Sequence, residues 1–472
     1  MSYLIGRQRE IKLFNEFIDG NQSEFIVVYG RWRVGKTFLI REQLSKNFSF
    51  HITGLANATL VEQLYNFHVA MSDYSGSKKR EQPANWLEAF RQLIAYLEKS
   101  KKKKKIVFFD ELPWLDSPRS GFIQALEHFW NNWASARKDV ILVVCGSAAS
   151  WMINKIIKNK GGLHNRVTQK IRLAPFTLHE CELLLQSKGI VWNRHQIAET
   201  YMVLGGIPYY WSHIKKGRSA AQAIDELCFS ENAILKDEYQ NLYASLFKNS
   251  EGHELIVKTL SKKTIGLTRK EIISISKLPN GGGTTKVLEE LETSGFLRKY
   301  KPIGRENRES IYQLLDFYSL FYFQFIYKQK NNTENYWQKN IDHPSHRAWS
   351  GYAFEQLCLL HLHQIKRSLG IGGVETEAAS WRGKINKIQI DLLIDRRDQV
   401  INLCEMKYAI GQIDITKKYA EELRNKMQTF KSETSTKKAV HLTLVTTYGI
   451  KQNMHSLGLI QQQITIDELF QM

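Results

Sequence analysis

Cysteine and proline are both scarce in this chain of 472 residues: five of the first, eight of the second. The cysteines, at 145, 181, 228, 358 and 404, form no CxxC pair and no other metal-ligand spacing. That excludes a zinc ribbon or a disulfide scaffold and fits buried thiols in a reducing cytoplasm. So little proline argues for a chain that is folded throughout. No long apolar run is present either. The greasiest stretch, IYQLLDFYSLFYFQFIY (311–327), is broken by Gln, Asp and Ser and is too short to span a bilayer comfortably. Its aromatics are expected at a domain junction, and no membrane partner is expected. The opening MSYLIGRQREIKLF is charged and periodic, unlike a signal peptide. Acid is outnumbered by base, 47 to 66, for a net charge of +19. A polyanion such as DNA is therefore an admissible partner. The bases are nonetheless dispersed, and the one dense run, Lys101 to Lys105, reads as a solvated loop end before a strand. The length exceeds one ordinary core and implies about three domains.

The most informative segment is EFIVVYGRWRVGKTFLIREQL (24–44), an apolar strand, a GxxxxGKT loop and an amphipathic helix. Gly30 and Gly35 let successive backbone N–H groups curl around a phosphate without Cβ clashes, and the helix N-terminus adds its positive dipole end. The loop Gly30, Arg31, Trp32, Arg33, Val34, Gly35, Lys36, Thr37, Phe38 is thus a candidate ATP cradle. Lys36 would reach the β- and γ-phosphates, and Thr37 would offer its hydroxyl to Mg²⁺. Downstream, KIVFFDELPWL (105–115) is a strand ending in Asp110 and Glu111, at the edge where parallel sheets bind ligands. Asp110 would hold the metal, and Glu111 would polarise the attacking water. Ser147, after the strand in DVILVVCGSAASWM (139–152), is placed to touch the γ-phosphate or that water. Arg166, in GGLHNRVTQKIRLAPF (161–176), is a candidate finger acting on a neighbouring subunit, a reading that requires a homo-oligomer.

IGRQREIKLF (5–14), YGRWRVGKT, FFDEL, CGSAASWM, NRVTQKIRLAPF and LGGIPYYW (204–211) occur in this order. Together they resemble the prokaryotic AAA-type ATPases called archaeal or DEXX-box ATPases, relatives of the STAND ATPases. The resemblance implies that Gly6 and Arg7 lie near the adenine. Residues 177–245 are patterned as helices and are expected to form a lid.

EGHELIVKTLSKK, LTRKEIISISKL and TTKVLEELETSGFLRKYKPIG read as three helices and a β-wing, a winged helix-turn-helix. The third helix offers Thr284, Thr285 and Lys286 to a DNA groove but also Glu289, Glu290 and Glu292, which oppose a polyanion. Arg298, Lys299, Lys301 and Arg305 on the wing are candidate backbone contacts. The module reads as a scaffold between domains as readily as a DNA reader.

KIQIDLLID and VINLCEMKY, joined by RRDQ, read as a hairpin folded about Asp398. That register sets Asp391 opposite Glu405, with Lys407 on the same face. Two converging carboxylates call for a cation, Mg²⁺ or Mn²⁺, beside which Lys407 would assist a metal-bound water. An upstream helix bears Glu355; a helix and a strand follow. This order resembles a PD-(D/E)XK nuclease fold, with Ile390 where the motif has proline. The resemblance implies metal binding by Glu355, Asp391 and Glu405, with Lys407 catalytic. The bland alternative is a buried ion-pair network that fixes the hairpin.

The expected architecture is α/β: a P-loop core (1–176) with helices on both faces of a parallel sheet, a helical lid (177–245), a winged-helix domain (250–315), an aromatic-rich linker (316–344) and a restriction-endonuclease-like domain (345–472). Two functions follow. One is an ATPase acting on DNA through a metal-dependent nuclease-like domain. The other is a nucleotide-gated signalling or scaffold ATPase with a catalytically silent C-terminal domain.

Overall fold

The computed structural model describes residues 4–77, 81–247, 249–301, 309–329, 334–383 and 388–471. Two compact units divide the chain, residues 1–175 and 176–472.

In the first unit five strands, β1 (Glu24–Gly30), β2 (Phe48–Thr53), β3 (Lys105–Asp110), β4 (Val140–Gly146) and β5 (Gln169–Leu173), form one sheet in the order β2-β3-β4-β1-β5. Every neighbouring pair is parallel. Helices cover both faces, so the strands are continuous apolar runs rather than alternating ones. One face packs Phe50, Phe67, Trp86, Phe90, Phe109 and Phe122 into a single cluster. β4 lies between the strand that feeds the phosphate loop and the strand that carries the acids. The basic run before β3 is exposed over Lys101 to Lys103, as a solvated loop end would be, and its lysines also bond to nearby loop ends. Lys105 is buried and bonded to Asp139, while Lys102 and Lys104 donate to the carbonyls of Phe48 and Lys138 at 2.6 and 2.9 Å. Arg137 and Lys105 together hold the Asp139 carboxyl well below its ordinary range.

The second unit begins with helices Leu178–Ser187, Arg194–Leu204 and Ala220–Cys228. Each is opened by a capping box: Thr177 with Glu180, Asn193 with Gln196, Ser219 with Gln222. Helices Glu251–Ser261, Arg269–Ser276 and Gly282–Thr293 follow, with an antiparallel sheet of β6 (Leu267–Thr268), β7 (Leu297–Tyr300) and β8 (Ile311–Leu314) in the order β6-β8-β7. The aromatic segment packs inward as expected. Tyr322 stacks on Tyr239 at 4.4 Å, and the Tyr243 and Ser319 hydroxyls meet at 3.0 Å.

The last sheet has the order β15-β13-β11-β10-β9, with β9 Thr376–Arg382, β10 Gln389–Arg396, β11 Val400–Lys407, β13 Ala439–Thr446 and β15 Gln462–Ile464. A short parallel pair, β12 (Ile413–Asp414) and β14 (Ile450–Lys451), flanks it. β9, β10 and β11 are antiparallel; β11, β13 and β15 are parallel. Helix Lys417–Thr434 covers one face, where Phe430 meets Trp381 edge-on at 5.3 Å.

One contact ties the two ends of this unit together. His361 lies between helices Pro344–Leu360 and Leu362–Ser368, and its Nδ1 donates to the Leu357 carbonyl at 2.9 Å. Its Nε2 then accepts the N–H of Leu178 at 3.2 Å, the first residue of a capped helix. A carbonyl only accepts and an amide only donates, so the ring is neutral with its proton on Nδ1. Burial pushes its pKa down to about 4. The folded protein therefore binds fewer protons than the unfolded chain between the ordinary value of 6.5 and about 4, and stability falls as pH drops through that window. The loss expected from this group is about 3 kcal/mol. His361→Leu should cost about 2 kcal/mol at neutral pH by orphaning the Leu178 N–H. It should also flatten the acid limb of urea-unfolding midpoints between pH 6.5 and 4. A variant with the wild-type acid slope would refute this assignment.

Candidate functional site

The loop after β1 is shaped by its glycines. A Cβ on Gly30 would lie 2.3 Å from the Leu173 carbonyl oxygen of β5, so no side chain fits there. Gly35, at φ 89°, takes the left-handed turn that starts helix Lys36–Leu44. Arg31, Trp32 and Arg33 are half-buried, Val34 is buried, and Phe38 is exposed. Arg7 is buried, and its guanidinium donates to the carbonyls of Val34 (3.3 Å) and Ala174 (2.7 Å), clamping the loop to the end of β5.

Lys36 is 4% exposed, and its ammonium donates to the carbonyls of Gly30 (3.2 Å) and Arg31 (2.9 Å) and to Ser147 Oγ (3.0 Å). Burial lowers its pKa, opposed by the neighbouring carboxylates of Glu111 and Asp110. Ser147 in turn donates its hydroxyl to Glu111 Oε1 at 2.7 Å and its N–H to Oε2 at 3.1 Å. Burial raises the Glu111 pKa, opposed by Lys36 and by the Ser147 bonds. Glu111 itself has φ 45° and ψ 52°, a strained conformation for a residue with a side chain and one that clusters at working sites. Thr37 Oγ1 donates to Asp110 Oδ1 at 3.0 Å. Because β4 is interposed between β1 and β3, the residue just past its end can touch both the lysine and the glutamate. The geometry thus brings Lys36, Thr37, Asp110, Glu111 and Ser147 together. Arg166 does not join them; it is exposed in the turn before β5, and no described residue pairs with it.

A strand, a glycine loop with a lysine and a threonine at a helix N-terminus, and an acid pair two strands away define a P-loop ATPase-type domain. Residues 4–214 match the family described as an ATPase domain predominantly from Archaea. Over 427 residues the chain is 21% identical to an uncharacterized protein of Methanocaldococcus jannaschii, covering 89% of this chain and 91% of that one. Among solved structures it is similar to the Walker-type ATPase of Pyrococcus abyssi, with a TM-score of 0.49, 14% identity, and coverage of 68% of this chain and 96% of that one. It is also similar to the ORC2 protein of Aeropyrum pernix, with a TM-score of 0.40, 16% identity, and coverage of 68% and 94%. No helix among the described residues is long and apolar enough to cross a membrane.

The carboxy-terminal acids form a different arrangement. The hairpin register runs Leu392↔Cys404, Leu393↔Leu403 and Ile394↔Asn402, the fold about Asp398 read from the sequence. One step further lie Asp391 and Glu405. Glu405 is buried, and its carboxylate is engaged by Lys426 at 2.8 Å, Lys407 at 3.4 Å and the Tyr419 hydroxyl at 3.4 Å. Asp391 accepts from Gln389. Burial raises the pKa of Glu355, and the charges of Asp391 and Glu405 push it further the same way against Lys407 and Lys426.

In this structure Glu405, one of the acids expected to bind metal, is met by lysines. Among the described residues no group of three or more His, Cys, Asp or Glu side chains is arranged to hold a metal ion. Glu355, Asp391 and Glu405 share one electrostatic field, but ammonium groups satisfy Glu405 where a cation was expected. Lys407 is one of them. Lys426, on the helix after the hairpin, carries no sequence signal that marks it.

The third helix of the middle module uses much of its polar surface within the protein. Thr284 is buried and donates to the Pro279 carbonyl at 2.7 Å; Thr285 is tied to Gly281 and Arg269. Glu290 bonds His253 at 2.8 Å and pairs with Lys286. Arg298 is half-buried and donates to Gln313 at 2.7 Å, whereas Lys299 and Lys301 are exposed. Arg305 lies outside the described residues.

If Asp391 raises Glu355 as the arrangement implies, Asp391→Asn should bring Glu355 down toward the ordinary carboxylate range. Carboxyl-carbon NMR titration of the two proteins checks this, and an unmoved Glu355 would refute the shared field.

Proposed function

We propose that this protein binds and hydrolyses ATP, and that its nucleotide state governs the arrangement of its domains. The observation that carries the reading is the chain of bonds from Lys36 through Ser147 to Glu111. A phosphate-seeking ammonium and a water-activating carboxylate are held by one hydroxyl on the strand between them.

The residues present fit a magnesium nucleotide. The turn at Gly35 opens a helix whose first amides are free of capping side chains, and Lys36 provides the ammonium. Thr37 and Asp110 supply a hydroxyl and a carboxylate, the hard oxygen donors that Mg²⁺ takes. Bound there, the ion would neutralise charge on the phosphates. Glu111 is the group that orients water. Ser147, which accepts from Lys36 and donates to Glu111, keeps it close to the lysine. Arg7 acts through the loop backbone, Gly6 and Arg7 are assigned to the adenine side of the nucleotide, and Arg166 is assigned the role of a finger toward a second copy of the chain.

Residues 251–314 we read as a winged-helix module serving as scaffold, since the third-helix threonines are used internally. Residues 344–471 we read as a domain of nuclease-like order whose ion-paired acids are structural. DNA cleavage with Mg²⁺ or Mn²⁺ is the second reading, favoured by the opposed Asp391 and Glu405. As arranged, their donor set does not fit a metal, and no catalytic step is derived through one.

Purified wild type should bind ATP by calorimetry and release phosphate, and Lys36→Ala should do neither. Glu111→Gln should bind ATP with near wild-type affinity while hydrolysis drops by about 10²–10⁴-fold. Wild type that binds no nucleotide, or Glu111→Gln at full rate, would overturn the proposal. Plasmid nicking by wild type and not by Asp391→Ala would replace the structural reading of the carboxy-terminal acids with the second one.

A further inference from the structure

β4 ends in Val144, Cys145 and Gly146 before Ser147, and its cysteine has no part in the function proposed above. Cys145 is fully buried, with its Sγ 2.8 Å from Asp110 Oδ1. The same oxygen accepts from Thr37 Oγ1 at 3.0 Å and from the Glu111 N–H at 3.0 Å. Three donors from three elements converge on one carboxylate oxygen: the P-loop helix, the turn after β3, and β4. Asp110 Oδ2 receives no hydrogen bond from any described residue.

A carboxylate held in this way cannot rotate about its last bond without breaking all three contacts. Each donor to Oδ1 also withdraws charge from that oxygen, which leaves Oδ2 the better ligand for a hard cation. The thiol is suited to the task. A thiol carries its proton at neutral pH and so offers an S–H donor to the carboxylate. It is sealed in the sheet and is shielded from oxidants.

We infer that Cys145 is a positioning residue for the divalent cation of the nucleotide complex: its S–H, with Thr37 and the Glu111 amide, fixes Asp110 so that Oδ2 is the oxygen presented to the ion. The inference rests on the ATP reading and adds a residue to it.

The test uses the full chain as wild type, Cys145→Ser, Cys145→Val and Cys145→Ala. Mn²⁺ binding in the presence of adenylyl imidodiphosphate is followed by electron paramagnetic resonance. Binding of the same nucleotide without metal is measured by calorimetry. Serine keeps a donor and should hold Mn²⁺ affinity within about twofold, while valine, which fills the site with one extra methyl group and loses the donor, should weaken it about tenfold. Metal-free nucleotide affinity should be unchanged in both. Alanine provides the donorless comparison should valine fail to fold. A donorless variant that binds Mn²⁺ as wild type does would overturn the inference and leave the ATP reading standing, as would equal losses with and without metal. Wild type that binds no nucleotide would remove both.

Discussion

A buried ammonium is the constraint around which the first unit is organised. Lys36 is desolvated, and an amine in that position must be surrounded by acceptors or lose its charge. Here the acceptors come from the loop itself, Gly30 and Arg31, and from Ser147 on the next strand. Those bonds require the loop to double back over the lysine, and glycine is needed at position 30, where a Cβ would lie 2.3 Å from the Leu173 carbonyl oxygen. They also require β4 beside β1, since a serine on any more distant strand would not reach. The strand order is thus tied to the chemistry of one side chain.

How much of this can be read from the chain depends on how local the cause is. The phosphate loop is legible because glycine, lysine and threonine act within eight residues, and the acid pair because a strand end announces it. The hairpin register was legible for the same reason: period-two alternation about one turn left few alternatives, and the ladder from Leu392↔Cys404 follows it. Side-chain partners across the sheet were not. Nothing adjacent to Cys145 indicates that its thiol meets a carboxylate 35 positions earlier, nor does the helix around Lys426 mark it as the cation for Glu405, 21 positions away. Arg7 was read as an adenine neighbour from resemblance alone; its observed partners are main-chain carbonyls.

The carboxy-terminal unit shows how the same residue types serve a different end. Opposed acids in a sheet are unfavourable unless a positive charge joins them, and that requirement is neutral as to whether the charge is a metal or a lysine. The sequence shows the need and not the solution. Lys426 and Lys407 meet it at Glu405, while burial and the charges of Asp391 and Glu405 raise the pKa of the half-buried Glu355. In the middle module, the Thr284 and Thr285 hydroxyls bond to carbonyls at the turn before their helix, and Glu290 is met by His253 and Lys286. In both places polar side chains find partners within the protein.

The two sites therefore differ in how their charges are balanced. At the carboxy-terminal site each ammonium that meets Glu405 comes from a side chain whose displacement would leave a buried carboxylate uncompensated, a costly change. That cluster resists rearrangement. At the phosphate loop Lys36 is held largely by neutral carbonyls and a hydroxyl, and Glu111 by one serine. Neutral partners of this kind are exchanged at small net free energy when another acceptor is offered. A site that must alternate between nucleotide states needs contacts that can be traded, whereas a domain that transmits or anchors needs contacts that cannot. On the function proposed above, the contacts of this protein that can be exchanged are those at its phosphate loop.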